Sequence, residues 1–183
     1  MEPAENVRKT GCNEGASGAA NSVAGAAADA VASLPFDIVR PLCIEVRGAE
    51  GSLIEGSVRG HVLHTDNPTE FGGSNTTANP AETFAFGLGA CVVNTGRLIA
   101  GQWGLAPTNI SAVIEGSVNL SRVLGIPSDD RAGFQGLKIR VSIEGGLSEA
   151  DKERLLAEIR SRCPMCDNVE NPTPFEIAMS PSA

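Results

Sequence analysis

Positive charge is scarce in this chain, in which 14 lysine and arginine residues stand against 22 aspartate and glutamate residues for a net charge of −8. Nucleic-acid binding needs a basic patch that neutralises phosphates, and the sequence contains no visible patch of that kind. It also contains no stretch that approaches the roughly 18 to 20 apolar residues of a membrane-spanning helix. We therefore expect a soluble protein with neither nucleic acid nor a membrane among its partners.

The pattern of a disulfide-stapled secreted domain is absent as well. Five cysteines are an odd number, and 183 residues are enough for one domain with a proper core. The first residues also lack the basic segment and the leucine- or phenylalanine-containing core of a signal peptide. A reducing cytoplasm is therefore the expected compartment.

The beginning of the chain is poor in large apolar side chains. From Gly11 to Ser33 the residues are nearly all alanine, glycine, serine, asparagine and valine, with Glu14 and Asp29 as the charged exceptions. Such a composition cannot bury enough surface to offset the entropy of ordering. We expect residues 1–34 to form a flexible arm and residues 35–183 to form one folded domain.

After the arm, short strand patterns alternate with two helices. Strands are predicted over residues 42–47, 53–59, 60–66, 109–119, 136–144 and 173–179. A glycine-containing turn after the first of them indicates a hairpin. Antiparallel strands interrupted by helices, in the order β-β-β-α-β-β-α-β, are typical of an α+β fold.

The first predicted helix carries Cys91. Asn79 can cap it, Pro80 suits its first position, and Glu82 completes a capping box. No charge occurs between Glu82 and Arg97, which is typical of a buried helix. The glycines inside this run each cost up to about 1 kcal/mol of helix stability, which indicates that another backbone comes close. We expect a second subunit to help cover this helix.

The second predicted helix leads to another cysteine. Ser148 caps this helix, and its apolar stripe of leucine and isoleucine continues to Cys163, which we expect to point towards the first helix. Pro164 is expected to end the helix. The two cysteines are thus candidates for a redox pair, although each is also the kind of small apolar residue that packs in a core.

Four short segments stand in a specific order and spacing: Asp66-Asn67-Pro68, Phe71-Gly72-Gly73-Ser74-Asn75, Asn79-Pro80-Ala81-Glu82 and Leu88-Gly89-Ala90-Cys91. Together they resemble the signature of the OsmC/Ohr family, the osmotically inducible and organic-hydroperoxide-resistance proteins. The stretch from Leu124 to Phe134 is similar to a subgroup of OsmC-related proteins, and Arg162-Cys163-Pro164-Met165 resembles the family's second Cys-Pro. The resemblance covers residues 38 to 180.

The resemblance implies a fold of antiparallel sheets around a long buried central helix, assembled as an intertwined homodimer. It also implies a thiol peroxidase that reduces organic hydroperoxides. Cys91 would attack the peroxide and become a sulfenic acid, and Cys163 would resolve it to a disulfide. An external dithiol reductant would then reopen that bond.

Two supports of the family's reactive cysteine are displaced in this sequence. The family's glutamate follows the proline of the Asn-Pro motif, where this chain has Ala81, and Glu82 lies about 100° further around the helix. The family's arginine is absent from its usual place, which leaves Arg59 and Arg97 as candidates to stabilise the thiolate. The alternative is therefore a non-catalytic OsmC-like protein that binds an apolar small molecule at its dimer interface.

Cys166 forms a C-x-x-C motif with Cys163. In thioredoxin-like sites the motif starts a helix, whose N-terminus lowers the thiol pKa, whereas here we expect the motif to follow a helix. Zinc could use both thiols with His61, His64 or Cys91, but a second C-x-x-C or H-x-x-H is missing. We interpret Cys166 as an alternative resolving thiol and expect no cofactor and no resident metal.

Overall fold

The computed structural model describes residues 38–180, so the predicted arm over residues 1–34 lies outside the described residues. In chain order its elements are β1 (Glu45–Gly48), β2 (Ile54–Val58), β3 (His61–Thr65), α1 (Pro80–Gln102), β4 (Asn109–Val118), β5 (Phe134–Glu144), α2 (Glu149–Arg162) and α3 (Pro164–Glu170). The predicted α+β class is confirmed: two antiparallel sheets accompany a long central helix.

The two sheets are formed by neighbouring strands of the sequence. β1, β2 and β3 form one sheet in that order, and β4 pairs with β5 in the other. Arg59 and Gly60 make the tight turn between β2 and β3 with φ angles of 49° and 82°, the left-handed geometry that two-residue hairpins favour.

The strand predicted over residues 173–179 is wrong, because the described chain contains no strand after β5. Its apolar residues Phe175, Ile177 and Met179 are 83%, 88% and 96% exposed. A strand needs a neighbour for its backbone N–H and C=O groups, and no strand of the described chain pairs with the segment.

The predicted start of α1 is confirmed in detail. The Glu82 N–H donates to the Asn79 side chain at 2.9 Å, and the Asn79 N–H donates to the Glu82 carboxylate at 2.8 Å. One face of the helix is buried, with Leu88 2% and Ile99 0% exposed. The opposite face is open in the single chain, where Phe86 is 75% exposed.

The glycines of α1 make room for side chains of the same chain, and not for another backbone as expected. A Cβ on Gly89 would lie 2.5 Å from Cδ1 of Ile114, and one on Gly96 would lie 2.9 Å from Cδ1 of Ile159. Side chains of the same chain, from β4 and α2, therefore make the close approach. A Cβ on Gly87 would meet nothing within 4 Å among the described residues.

The length and composition of α1 correct the expectation that no stretch of the sequence approaches a membrane-spanning helix. This helix has 23 residues and contains an 18-residue window with a mean hydropathy of 1.3, so that length and composition alone would allow it to cross a membrane. Core helices of soluble proteins pass the same test. Because α1 packs against β4 and α2 through its buried face, we describe it as the core helix of the fold.

The loop between β3 and α1 is organised around Asp66, which is 2% exposed. Its carboxylate accepts hydrogen bonds from the Ser52 hydroxyl, from the backbone N–H groups of Asn67, Ser74 and Thr76, and from the Thr76 hydroxyl. Hydrogen bonds from Ser52 and Thr76 hold the pKa of Asp66 well below its ordinary value despite burial. This loop delivers the cap of α1.

Two side-chain contacts fasten α2 to the end of α1. The guanidinium carbon of Arg154 lies 3.8 Å from the centroid of the Trp103 ring, and Arg162 donates to Gln102 at 2.8 Å. Leu155 and Ile159 of α2 are 0% and 2% exposed and belong to the same core as the buried face of α1. The end of α2 is thereby held beside α1.

Candidate active site

Three free thiols meet where α2 passes into α3. Cys91 lies on α1, Cys163 lies between α2 and α3, and Cys166 lies in α3. Cys163 is 1% exposed and belongs to the core, and the partly buried Cys91 and Cys166 pack against that core. The fold thus brings together three of the residues that the sequence singled out.

The helix junction explains how Cys163 reaches this position. The Cys163 N–H donates to the carbonyl of Ile159 at 2.9 Å, which ends α2, and its own carbonyl accepts from the Asp167 N–H at 3.1 Å. Pro164 occupies the first position of α3, where no N–H is needed. The expected end of α2 before Pro164 is confirmed, and a further short helix that the sequence analysis did not predict begins at Pro164.

The C-x-x-C motif follows α2, as expected, and it also starts α3. Cys163 is the N-cap of α3, and Cys166 lies in its first turn. This is the placement found in thiol-disulfide exchange sites, although α3 is a single short helix at the end of α2.

The pKa of Cys163 is lowered, even though its burial acts in the opposite direction. The backbone N–H groups of Cys166 and Met165 and the thiols of Cys91 and Cys166 all donate hydrogen bonds to its sulfur, and together they outweigh burial. Cys163 is therefore the first of the three thiols to ionise.

The other two thiols respond in the opposite sense. Burial raises the pKa of Cys91, a hydrogen bond from the Met165 N–H partly offsets this, and the contact with Cys163 raises it further. Burial, followed by hydrogen bonding to Cys163 and the charge on Cys163, raises the pKa of Cys166 to about 12. Both thiols thus act as proton donors towards a Cys163 thiolate.

Sequence reasoning missed part of the environment of Cys91. The Thr95 hydroxyl and the Met165 N–H both form hydrogen bonds that lower the pKa of Cys91. Thr95 follows Cys91 by one helical turn, so the i,i+4 spacing was a usable signal. Met165 contributes only its backbone, and the signal for it was a proline that suits the start of α3.

The predicted supports of Cys91 lie elsewhere in the fold. Glu82 forms the cap of α1, more than two turns before Cys91 and about 13 Å away along the axis at 1.5 Å per residue. Arg59 belongs to the turn between β2 and β3, and Arg97 is exposed on α1. Within this chain Glu82 takes part in the cap of α1, and its predicted catalytic role stays a prediction.

The two histidines proposed as zinc ligands do not lie on the helices that carry the three thiols. His61 and His64 lie on β3, and His64 approaches Glu55 of β2 at 3.6 Å. Over residues 38–180 there is no group of three or more histidine, cysteine, aspartate or glutamate residues placed to hold a metal ion.

Two apolar grooves border this region. Cys166 lines a groove of about 840 Å³ between α2, α3 and β5, together with Leu156, Val169 and the charged pair of Arg160 and Glu170 at its edge. A second groove, of about 870 Å³, lies beside the start of α1 and is lined in part by Glu82. Both volumes suit a small apolar molecule.

The profile of the OsmC-like protein family matches residues 73–178. Among solved structures, an OsmC-like protein from Mycoplasma pneumoniae is 18% identical, with a TM-score of 0.63 over 73% of this chain and 89% of that one. The organic hydroperoxide resistance protein OsmC of Legionella pneumophila is 23% identical, with a TM-score of 0.56 over 73% and 91%. An organic hydroperoxide resistance protein from Elizabethkingia anophelis is 17% identical, with a TM-score of 0.56 over 75% of this chain and 93% of that one. No curated protein matches the sequence significantly.

Proposed function

The chain belongs to the OsmC-like protein family, and from that premise we propose that it is a thiol peroxidase that reduces organic hydroperoxides. Cys91 is the attacking thiol and Cys163 the resolving thiol. The observation that carries the proposal is that the fold packs Cys91 against the core cluster that contains Cys163, close enough for each thiol to shift the pKa of the other. Hydroperoxide-resistance proteins among the similar structures support a peroxide-related redox role.

Proton transfer from Cys91 to Cys163 starts the reaction. The Cys91 thiolate attacks the terminal oxygen of the hydroperoxide, the O–O bond breaks, and the alkoxide leaves. The new Cys163 thiol returns its proton to the alkoxide, which departs as an alcohol. Cys91 is then a sulfenic acid and Cys163 is again a thiolate.

Resolution needs no large movement, because Cys91 packs against the core cluster that contains Cys163. The Cys163 thiolate attacks the Cys91 sulfur and displaces hydroxide, which forms the Cys91–Cys163 disulfide. An external dithiol reduces this bond by thiol-disulfide exchange. We expect the cycle to operate in the reducing cytoplasm.

Cys163 takes the place of the displaced family residues in this scheme. Glu82 is committed to the helix cap, and neither Arg59 nor Arg97 is among the main influences on the pKa of Cys91. The Cys163 thiol has a lowered pKa and lies near Cys91, so its thiolate can accept the Cys91 proton. In the family this activation is the task of the glutamate and the arginine.

A second function, the binding of an apolar small molecule without catalysis, is favoured by one observation. The groove of about 870 Å³ beside the start of α1 combines apolar walls with Glu82 and Glu70. Its size falls within the usual range for small-molecule sites. In this case Cys91 and Cys163 would remain thiols in the presence of peroxide.

We further propose a homodimer in which a second copy covers the open face of α1. Phe86 and Leu98 on this face are 75% and 59% exposed, and the apolar tail that carries Phe175 is exposed as well. Exposed apolar patches of this kind mark interaction surfaces. Light scattering should give the mass of two chains, and Phe86→Glu should shift the protein towards a monomer.

The decisive experiment is an anaerobic titration of the fully reduced protein with cumene hydroperoxide and, separately, with hydrogen peroxide. We expect stoichiometric alcohol, a faster reaction with the organic peroxide, and an early Cys91–Cys163 disulfide in acid-quenched samples. Cys91→Ser should form no alcohol above the buffer background. If the wild-type protein leaves the peroxide unreacted and Cys91 reduced, the peroxidase proposal fails and ligand binding takes its place.

A further inference from the structure

The peroxidase cycle proposed above uses two thiols, whereas the structure brings three together. We propose that Cys166 takes over the disulfide by attacking the Cys163 sulfur of the Cys91–Cys163 bond. The oxidised protein then rests as Cys163–Cys166, with Cys91 restored as a thiol. This transfer rests on the proposed peroxidase function and adds a third residue and a second stage to it.

The position of Cys163 between the other two thiols is the first support. Cys91 and Cys166 both pack against the core cluster that contains Cys163, and both influence its pKa, so each of the two sulfurs lies near the Cys163 sulfur. Cys163 caps α3 and Cys166 lies one turn on, and side chains at i and i+3 face each other at the start of a helix. This is also the spacing of redox-active C-x-x-C pairs.

The exchange is balanced without any further reagent. The Cys166 thiolate attacks the Cys163 sulfur, the Cys163–Cys166 bond forms, and the Cys91–Cys163 bond breaks with its electron pair on the Cys91 sulfur. The proton that Cys166 loses is taken up by Cys91 or by water. The number of disulfides stays at one, and its position changes.

The surroundings of the three sulfurs favour this order of events. In the reduced protein, burial, followed by the hydrogen bond to Cys163 and the charge on Cys163, raises the pKa of Cys166 to about 12. That charge disappears when Cys163 enters a disulfide, so Cys166 becomes a better nucleophile only after the first bond has formed. The departing Cys91 sulfur keeps the hydrogen bonds from Met165 and Thr95 that favour its thiolate.

The transfer has two consequences for turnover. It replaces Cys91 in the disulfide by Cys166, which borders the groove of about 840 Å³, where an external dithiol can meet it. It also frees Cys91 for a second peroxide before any reductant arrives, and this second reaction is slower because the oxidised Cys163 no longer accepts the proton of Cys91. The fully oxidised protein then holds a Cys163–Cys166 disulfide and a Cys91 sulfenic acid.

The test counts alcohol and maps disulfides during anaerobic oxidation by excess cumene hydroperoxide. Wild-type protein should form two equivalents of alcohol per chain, with Cys163–Cys166 as the mapped disulfide and a dimedone adduct on Cys91. Cys166→Ser should stop at one equivalent with Cys91–Cys163, a twofold lower yield. Ser161→Ala, an exposed change at the same helix junction, should match the wild type.

The outcomes separate this inference from the function on which it rests. One equivalent of alcohol in the wild type, with Cys91–Cys163 as the final disulfide and Cys166 open to alkylation, overturns the transfer and leaves the peroxidase intact. If no alcohol forms, the peroxidase proposal has failed, and mixtures of oxidised and reduced dithiothreitol then test the exchange alone. In those mixtures Cys163–Cys166 as the equilibrium disulfide supports the transfer, and Cys91–Cys163 overturns it.

Discussion

Asp66 and Cys163 are both buried, at 2% and 1% exposure, and both have a lowered pKa, but they lie in different regions and their neighbours differ. Asp66, before α1, is surrounded by hydroxyl and backbone N–H donors. Cys163, after α2, is surrounded by backbone N–H donors and by two thiols. Each site gathers several donors around one acidic group whose pKa they lower.

The difference lies in what the donors can become. A hydroxyl or a backbone N–H can only continue to donate, so the Asp66 cluster fixes the loop that caps α1. A thiol that donates to a thiolate can also be oxidised and bonded to it, so the Cys163 cluster can change its covalent state. The same electrostatic arrangement therefore supports the fold in one region and chemistry in the other.

The largest effect that we predict comes from removing the reactive anion. Cys163→Ala should slow the reduction of cumene hydroperoxide by about 10²- to 10⁴-fold in stopped-flow measurements, because Cys91 loses its proton acceptor. Cys91 should then accumulate as a sulfenic acid that dimedone traps. Ser161→Ala serves as the matched control at the helix junction. An unchanged rate in Cys163→Ala would show that Cys91 is activated by another group.

Much of the fold was predictable because the signals were local. The capping box of Asn79 and Glu82 and the alternation of the β4 and β5 strands are read within a few residues, and the structure confirms them. The strand predicted over residues 173–179 is wrong because strand formation depends on a partner, which a local pattern cannot reveal. The open face of α1 could not be predicted from its composition for the same reason.

The candidate site was predictable only in part. The sequence indicated that Cys163 continues the apolar stripe of α2 towards α1, and the structure places it beside Cys91. The order in which the thiols ionise could not be predicted, because it depends on the backbone N–H groups of Met165 and Cys166. Those donors became visible only once α3 was seen to begin at Pro164.

Asp66→Asn should affect stability rather than thiol chemistry. The folded pKa of Asp66 lies below its unfolded value of about 3.9, so its contribution to stability is present above that pH and is lost as the pH falls through the folded pKa. Near neutral pH, we expect a lower urea midpoint for Asp66→Asn than for the wild type. On acidification below about pH 4, the variant should lose less stability than the wild type, because it lacks the titrating carboxylate.

The control for this variant is Glu70→Gln, an exposed carboxylate in the same loop. Alcohol formation per folded chain should be the same in Asp66→Asn and the wild type. A variant that stays as stable as the wild type but loses peroxide reduction would reverse the assignment of Asp66 to the fold.

A smaller but more direct test measures the charges themselves. Thiolate absorbance in the ultraviolet should first rise at a pH below that of an ordinary cysteine, and Cys163→Ala should remove this step because the lowered pKa belongs to Cys163. The same variant should lower the pKa of Cys166, since the charge on Cys163 is one of its causes. A first step that survives in Cys163→Ala would assign the early thiolate to Cys91 or Cys166.

The smallest effect should come from shifting the helix that carries Cys163 while Asp66 is left untouched. A Cβ on Gly96 would press on the ends of the Ile159 and Ile110 side chains at 2.9 and 3.2 Å. Overpacking costs roughly 1–3 kcal/mol and better helix propensity returns up to about 1 kcal/mol, so Gly96→Ala should lose about 1 kcal/mol in urea unfolding. Peroxide reduction should slow several-fold, because Ile159 lies one turn before Cys163. The control is Gly101→Ala, whose Cβ would meet nothing within 4 Å among the described residues and which should not slow peroxide reduction. Equal rates in the two variants would mean that the thiol chemistry tolerates displacement of α2.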